Sequence, residues 1–209
     1  MNKEKLSQLR ERGYDFDIAN ILERGFRMFL AQPLLSFSYT LLIISLQLLF
    51  ALYLREVTFL YALLLAPPLF SGFYFVANKI SMGQPVVYPD FFKGFSVAWA
   101  VISIWLIGQI LTALGFFAFI IPGIYLAVAY SFSVLMAIFG GFDFWTALEE
   151  SRKLITVRWW KFFAFSLILV VINLIGLLPL GFLLPVTIPV TFYATYILFE
   201  DLTRDVFAE

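Results

Sequence analysis

Six apolar runs of membrane-spanning length follow one another from residue 33 to residue 199, and no soluble fold accommodates such a pattern. They lie near 33–54, 58–78, 97–117, 119–139, 162–178 and 181–199. About 20 residues rising 1.5 Å each cross a hydrocarbon core of about 30 Å, so each run reads as a transmembrane helix. Composition agrees: 62% of the 209 residues are hydrophobic, only 13% are charged, and the mean hydropathy is +0.94. A soluble domain carries about a quarter charged residues. The expectation is an all-α integral membrane protein with six transmembrane helices.

Punctuation between the runs suggests how they pair. Only Gly115 and Pro122-Gly123 separate the third run from the fourth, and only Gly176, Pro179 and Gly181 separate the fifth from the sixth. Tight hairpins fit these places better than very long helices. The expected architecture is therefore three hairpins in one polytopic domain: a segment 1–32, a membrane region 33–199 and a tail 200–209. Kinks are expected at Pro67-Pro68 and Pro189, which lie deeper in their runs.

Charge placement sets the orientation. With a cytoplasmic N-terminus, thirteen of the fourteen basic residues fall on the inside, and only Arg55 falls outside. The positive-inside rule then puts both termini in the cytoplasm. The first 32 residues are mostly polar where a cleavable signal needs an early apolar stretch, so the first span is expected to direct insertion. Net charge is zero and no basic patch with interleaved aromatics survives outside the apolar runs, which gives no nucleic-acid partner.

Amphipathic stretches fill the inner side. Ile18, Ile21, Leu22, Gly25, Phe26 and Phe29 share one helical face, with Asp17 as a candidate N-cap and Glu23 to Arg27 as an i,i+4 pair. From Asp143 to Lys161 a second such helix is expected. Asp143 caps it, Thr146 and Glu149 have capping-box spacing, and Glu149 pairs with Lys153. Trp145, Leu148, Ile155 and Trp159 would face the acyl boundary, with Glu150, Lys153 and Arg158 facing water or phosphate. A threefold repeat is discernible: Asp17, Asp90 and Asp143 each introduce an interface segment followed by a membrane pair.

Chemical signatures are sparse. The chain has no cysteine and no histidine, which removes thiolate chemistry, the usual zinc and haem ligands and the commonest general base. Nucleotide-binding, nucleophile-elbow and metal-spaced carboxylate motifs are missing, so neither cofactor nor catalytic residue is expected, and the chain reads as non-enzymatic. No ionisable residue sits in the middle of a run, which argues against ion-coupled transport. The intramembrane polar candidates are Gln109, Thr112, Asn173 and Thr187, with Gln47, Ser103, Ser131, Ser133 and Thr191 beside them. Gln109 and Asn173 are expected to hydrogen-bond between helices, or alternatively to line a polar cleft. Gly108, Gly115, Ala129 and Ser133 are small enough to pack helices within one chain or between chains.

Ile121-Pro122-Gly123-Ile124-Tyr125-Leu126, then Trp145-x-Ala147-Leu148-x-x-Ser151-x-x-Leu154, then Trp159-Trp160, resembles the core of a bacterial group of six-helix inner-membrane proteins. That group includes YciC-like proteins and the membrane domain fused to some glycerophosphoryl diester phosphodiesterases. Arg24-Gly25-Phe26 and Phe29 are similar to the first helix of that group. The resemblance implies a bacterial inner-membrane domain with interfacial helices on the cytoplasmic side, and no catalytic residues. The expected function is binding of membrane lipids or of a membrane protein partner, including a second copy of the chain. Anionic headgroups would meet Arg24, Arg27, Lys93, Arg152, Lys153, Arg158 and Lys161, each contributing up to about 1 kcal/mol. The alternative is a transporter or permeability factor for an apolar or amphiphilic small molecule.

Overall fold

The computed structural model describes residues 2–178 and 180–207. Pro179, expected to help close a hairpin, lies outside them. Among the described residues the fold is all-α. In chain order the helices are α1 (Asn2–Arg12), α2 (Ile18–Ala31), α3 (Pro33–Tyr53), a short α4 (Thr58–Leu60), α5 (Ala66–Ser81), α6 (Ala98–Ala118), α7 (Ile120–Ala129), α8 (Ser133–Gly140), α9 (Phe144–Thr156), α10 (Trp159–Leu177) and α11 (Leu184–Phe207). A 3₁₀ segment, Tyr88–Val97, precedes α6.

Five helical stretches are long and apolar enough to cross a membrane: Pro33–Tyr53, Arg55–Ser81, Tyr88–Ala118, Ile120–Gly140 and Trp159–Leu177. In two of them, Tyr88–Ala118 and Trp159–Leu177, only 17% of the most apolar window is buried. Apolar surface on that scale requires lipid or another apolar partner. The sixth run became α11, which is long enough but falls outside this group. It carries Thr187, Thr191, Tyr193, Thr195 and Tyr196 before Glu200 and Asp201, and most of its middle is buried.

The chain divides into two compact units. One comprises residues 18–98 and 169–197. Its core gathers Tyr39, Phe73, Phe91 and Tyr193, each fully buried. The Tyr39 hydroxyl lies 2.9 Å from the Leu69 carbonyl and 3.0 Å from the Phe91 carbonyl, and donates to one at a time. Segment 88–97 docks on α5 backbone to backbone. A Cβ on Gly72 would stand 1.8 Å from the Phe91 carbonyl oxygen, and one on Gly94 would stand 2.0 Å from that of Pro68. Small residues permit this approach, as they do between membrane helices. Asp90, buried to 3% exposure, locks the segment by accepting from the Val87 N–H at 2.9 Å, Lys79 at 2.8 Å and Lys93 at 2.9 Å.

Just before Pro67-Pro68 the helix widens into a π turn, Tyr61–Leu65. Neither proline can donate to a carbonyl four residues back, and their rings crowd that position, so the wider turn accommodates both. Pro189 is carried inside α11.

The other unit comprises residues 1–17, 99–168 and 198–209. Its core holds Leu6, Phe132, Leu135, Phe162 and Phe199. Here the fourth run departs from expectation, because it forms two helices rather than one. Residues 130–132 break it, between α7 and α8, with neither proline nor glycine at the break. The cause lies on α9. The Ser151 hydroxyl donates to the Ala129 carbonyl at 2.7 Å and accepts from the Phe132 N–H at 3.2 Å, satisfying two backbone groups that the break releases. After α8 the chain reverses at Gly141, whose φ of +67° suits glycine and whose N–H caps the Met136 carbonyl.

Helix α9 also corrects several expectations. Leu148 and Ile155, expected at the acyl boundary, are 1% and 0% exposed. Ala147, Leu148, Ser151, Leu154 and Ile155 form one stripe, and that stripe faces protein, with α7, α8 and α1 packed around the helix. Glu150, expected to face water, is 4% exposed and bridges Arg10 and Lys153. Glu149 pairs with Arg152 at 3.0 Å rather than with Lys153. Thr146 does not open a capping box; its N–H donates instead to Asp143, the N-cap. An amphipathic pattern records that a face is apolar, not whether protein or lipid covers it.

Candidate functional site: a polar cleft beside a broken helix

A cleft of about 210 Å³ opens in the unit that contains α6 to α9. One face of α6 supplies Trp105, Gly108, Gln109 and Thr112, at helical spacings of three, one and three. The break supplies Tyr130 and Ser131, and α9 supplies Leu148 at the floor. Ser151 therefore positions the far wall indirectly, by holding the α7–α8 break open. Gly108 gives the cleft its depth. A methyl there would meet Leu148 at 3.5 Å and the Tyr130 ring at 4.0 Å, ordinary contact distances, whereas a large side chain would occupy the space.

Ser133 aside, the polar side chains that line this cleft have no hydrogen-bond partner among the described residues. Among the described residues, the side chains of Trp105, Gln109, Thr112, Tyr130 and Ser131 form no hydrogen bond within the chain. The expected bond between helices at Gln109 is therefore not made. Ser133, by contrast, donates to the Tyr130 carbonyl at 2.8 Å. Among the described residues no charged side chain lines the cleft. Nearby, Glu149 and Arg152 neutralise each other through two hydrogen bonds of 3.1 and 3.0 Å. Arg152 holds the Glu149 carboxyl below the usual carboxylate range, and Glu149 in turn holds the guanidinium above its ordinary value.

Asn173 and Thr187 belong to the other unit. The Asn173 amide donates to the Leu169 carbonyl at 3.0 Å and across to the Thr191 hydroxyl at 3.3 Å. Thr187 packs on Gly176, whose Cβ position lies 2.5 Å from the Thr187 hydroxyl oxygen. The Asn173 Oδ1 and Thr187 Oγ1 atoms are buried without a hydrogen-bond partner among the described residues. These residues tie α10 to α11, while Gln109 and Thr112 face open space.

The basic residues expected to meet headgroups are mostly engaged already. Arg27 pairs with Glu23, Lys93 with Asp90, Arg152 with Glu149, Lys153 with Glu150 and Lys161 with Asp15. Lys161 also sits 5.1 Å from the centre of the Phe16 ring. Arg158 donates to the Tyr14 carbonyl at 3.1 Å, and Arg24 is half-buried on α2. Most of these pairs join nearby residues, but Lys161 with Asp15 and Arg10 with Glu150 fasten the N-terminal segment to the body of its own unit.

Sequence reasoning found Gln109, Thr112 and Gly108 but assigned no part to Ser151, Trp105 or Tyr130. A signal for Ser151 existed: it is the one hydroxyl within the stripe 147, 148, 151, 154 and 155. Three of the four small residues are spent on packing within the chain. A Cβ on Gly115 would stand 3.1 Å from the Gly123 backbone, and Ala129 and Ser133 are buried at 0% and 1% exposure. Comparison with protein-family models, with curated proteins and with solved structures returns no match to this chain.

Proposed function

We propose that the chain is a non-enzymatic, multi-pass protein of a bacterial inner membrane that binds a membrane lipid or a partner protein. On this reading it is one polytopic domain with six spans in three hairpins and cytoplasmic termini. The charge asymmetry of thirteen basic residues to one supports the orientation. Exposed Phe26 and Leu30 on α2, at 46% and 54%, support an interfacial helix there.

The observation that carries lipid binding is the cleft, where five polar side chains lack hydrogen-bond partners among the described residues. Along the cleft face of α6, one turn beyond Thr112, Phe116 at 45% exposure continues it as an apolar track. A polar recess next to an apolar track matches an amphiphile. The paired basic residues add less than free cations would, since each already has a carboxylate or a carbonyl to satisfy it.

Native mass spectrometry of the protein extracted in membrane patches tests this. A lipid or protein retained by the wild type and lost from Gly108→Phe is expected. Retention that is indifferent to Gly108→Phe would refute the cleft as its seat.

A second reading, a transporter or permeability factor for an amphiphile, is favoured by the break between α7 and α8 and the π turn before Pro67-Pro68. Interrupted helices build binding sites in transporters. Flux of an amphiphilic probe in proteoliposomes that stops with Gly108→Phe would support it, and equal leakage from empty vesicles would remove it.

A further inference from the structure

We infer that the cleft takes the uncharged, oxygen-bearing head of a membrane amphiphile, with its hydrocarbon chain leaving past the exposed Phe116, one turn beyond Thr112 on the same face of α6. This rests on the proposed lipid-binding reading and narrows it to a ligand class. Trp105 offers an N–H donor only, while Gln109, Thr112, Tyr130 and Ser131 can each donate or accept. Five such groups converge without one net charge among them. The nearest opposite charges, Glu149 and Arg152, are spent on each other.

A phosphate head would have to shed water here with no counter-charge, and that penalty is large. A carbonyl or hydroxyl head would exchange water bonds for cleft bonds at little cost. Size agrees with this. A 210 Å³ space holds a ring or a glycerol ester group, since a cavity of about 150 Å³ holds benzene, but it cannot enclose a whole lipid. The rest of the molecule must lie outside the cleft, and the exposed Phe116 on the same face of α6 begins its surface.

Two ligand sources share this chemistry, the ester-bearing head of a diacylglycerol and the ring of a prenylated quinone. The test reconstitutes the full chain in phosphatidylcholine nanodiscs containing a minor fraction of diacylglycerol, of prenylated quinone or of phosphatidylglycerol, and counts retained lipid by native mass spectrometry. Expected is enrichment of diacylglycerol or quinone by about tenfold over its share of the disc in the wild type. Trp160→Phe, at a position 76% exposed and outside the cleft lining, preserves it. Gly108→Phe abolishes it, and the double variant Gln109→Leu/Thr112→Val, on exposed and half-buried positions, lowers it about tenfold while the protein still folds. Enrichment of phosphatidylglycerol that Gly108→Phe abolishes would overturn the uncharged-head assignment and leave lipid binding standing. No enrichment of any lipid, with the variants folded, would overturn both.

Discussion

Replacing Ser151 by alanine removes one hydroxyl and strands two backbone groups. The Ala129 carbonyl loses its donor at 2.7 Å and the Phe132 N–H loses its acceptor at 3.2 Å. Both residues are fully buried, and the space left by one oxygen is too small to admit a water with several partners. Leaving a buried donor or acceptor unpaired costs about 1–3 kcal/mol, so with two such groups the variant should lose about 2–6 kcal/mol. Equilibrium unfolding in detergent micelles, followed by circular dichroism, measures the loss. Ser131→Ala is the control, because that hydroxyl lies in the same break without a partner among the described residues. It should change stability by less than about 0.5 kcal/mol. If Ser151→Ala unfolds within about 0.5 kcal/mol of the wild type, the hydroxyl does not sustain the break and the origin assigned to the cleft fails.

Other expectations are as specific. Gly72→Ala and Gly94→Ala each drive a methyl into a backbone carbonyl, at 1.8 and 2.0 Å, so each should cost more than about 3 kcal/mol in the same unfolding experiment. A fully folded alanine variant of wild-type stability would refute the close approach of segment 88–97 to α5. Asp143→Ala removes the N-cap of α9, and a loss of about 1 kcal/mol is expected, with Asp143→Asn recovering most of it. Burial pushes the Glu150 carboxyl up, but hydrogen bonds and charges from Arg10 and Lys153 outweigh burial and hold it below the usual range. A depressed value means that this pairing stabilises fully above the unfolded value of about 4.3 and is lost as pH falls through the lower folded value. Amide exchange across α1, corrected for intrinsic rates, should therefore accelerate only at acid pH, and acceleration near neutrality would contradict the pairing.

The apolar runs made the helical class legible, because periodic hydrophobicity over about 20 residues has few alternative readings. Pro33 opens α3, and Asp143 caps α9, where the sequence suggested a start. Which surface covers a face was not legible. Leu148 and Ile155 read as lipid-facing, yet protein buries them, since a stripe of apolar residues has the same spacing in either setting. The break at 130–132 was invisible for a related reason. Its cause is a hydroxyl twenty residues downstream, and local turn chemistry offers no glycine or proline to betray it. The cleft was half legible. Gln109 and Thr112 share a helical face, but that Tyr130 and Ser131 confront them follows only from the break.

Site-specific photocrosslinking in intact membranes tests the central claim most directly. A small diazirine amino acid, close to leucine in size, replaces Thr112 in the cleft, and a second protein carries it in place of Trp160, which is 76% exposed. Lipid adducts are then identified by mass. A cleft that selects an amphiphile predicts one dominant uncharged species at 112 and the bulk phospholipid mixture at 160. The same bulk mixture at both positions, or no lipid at 112, would contradict it.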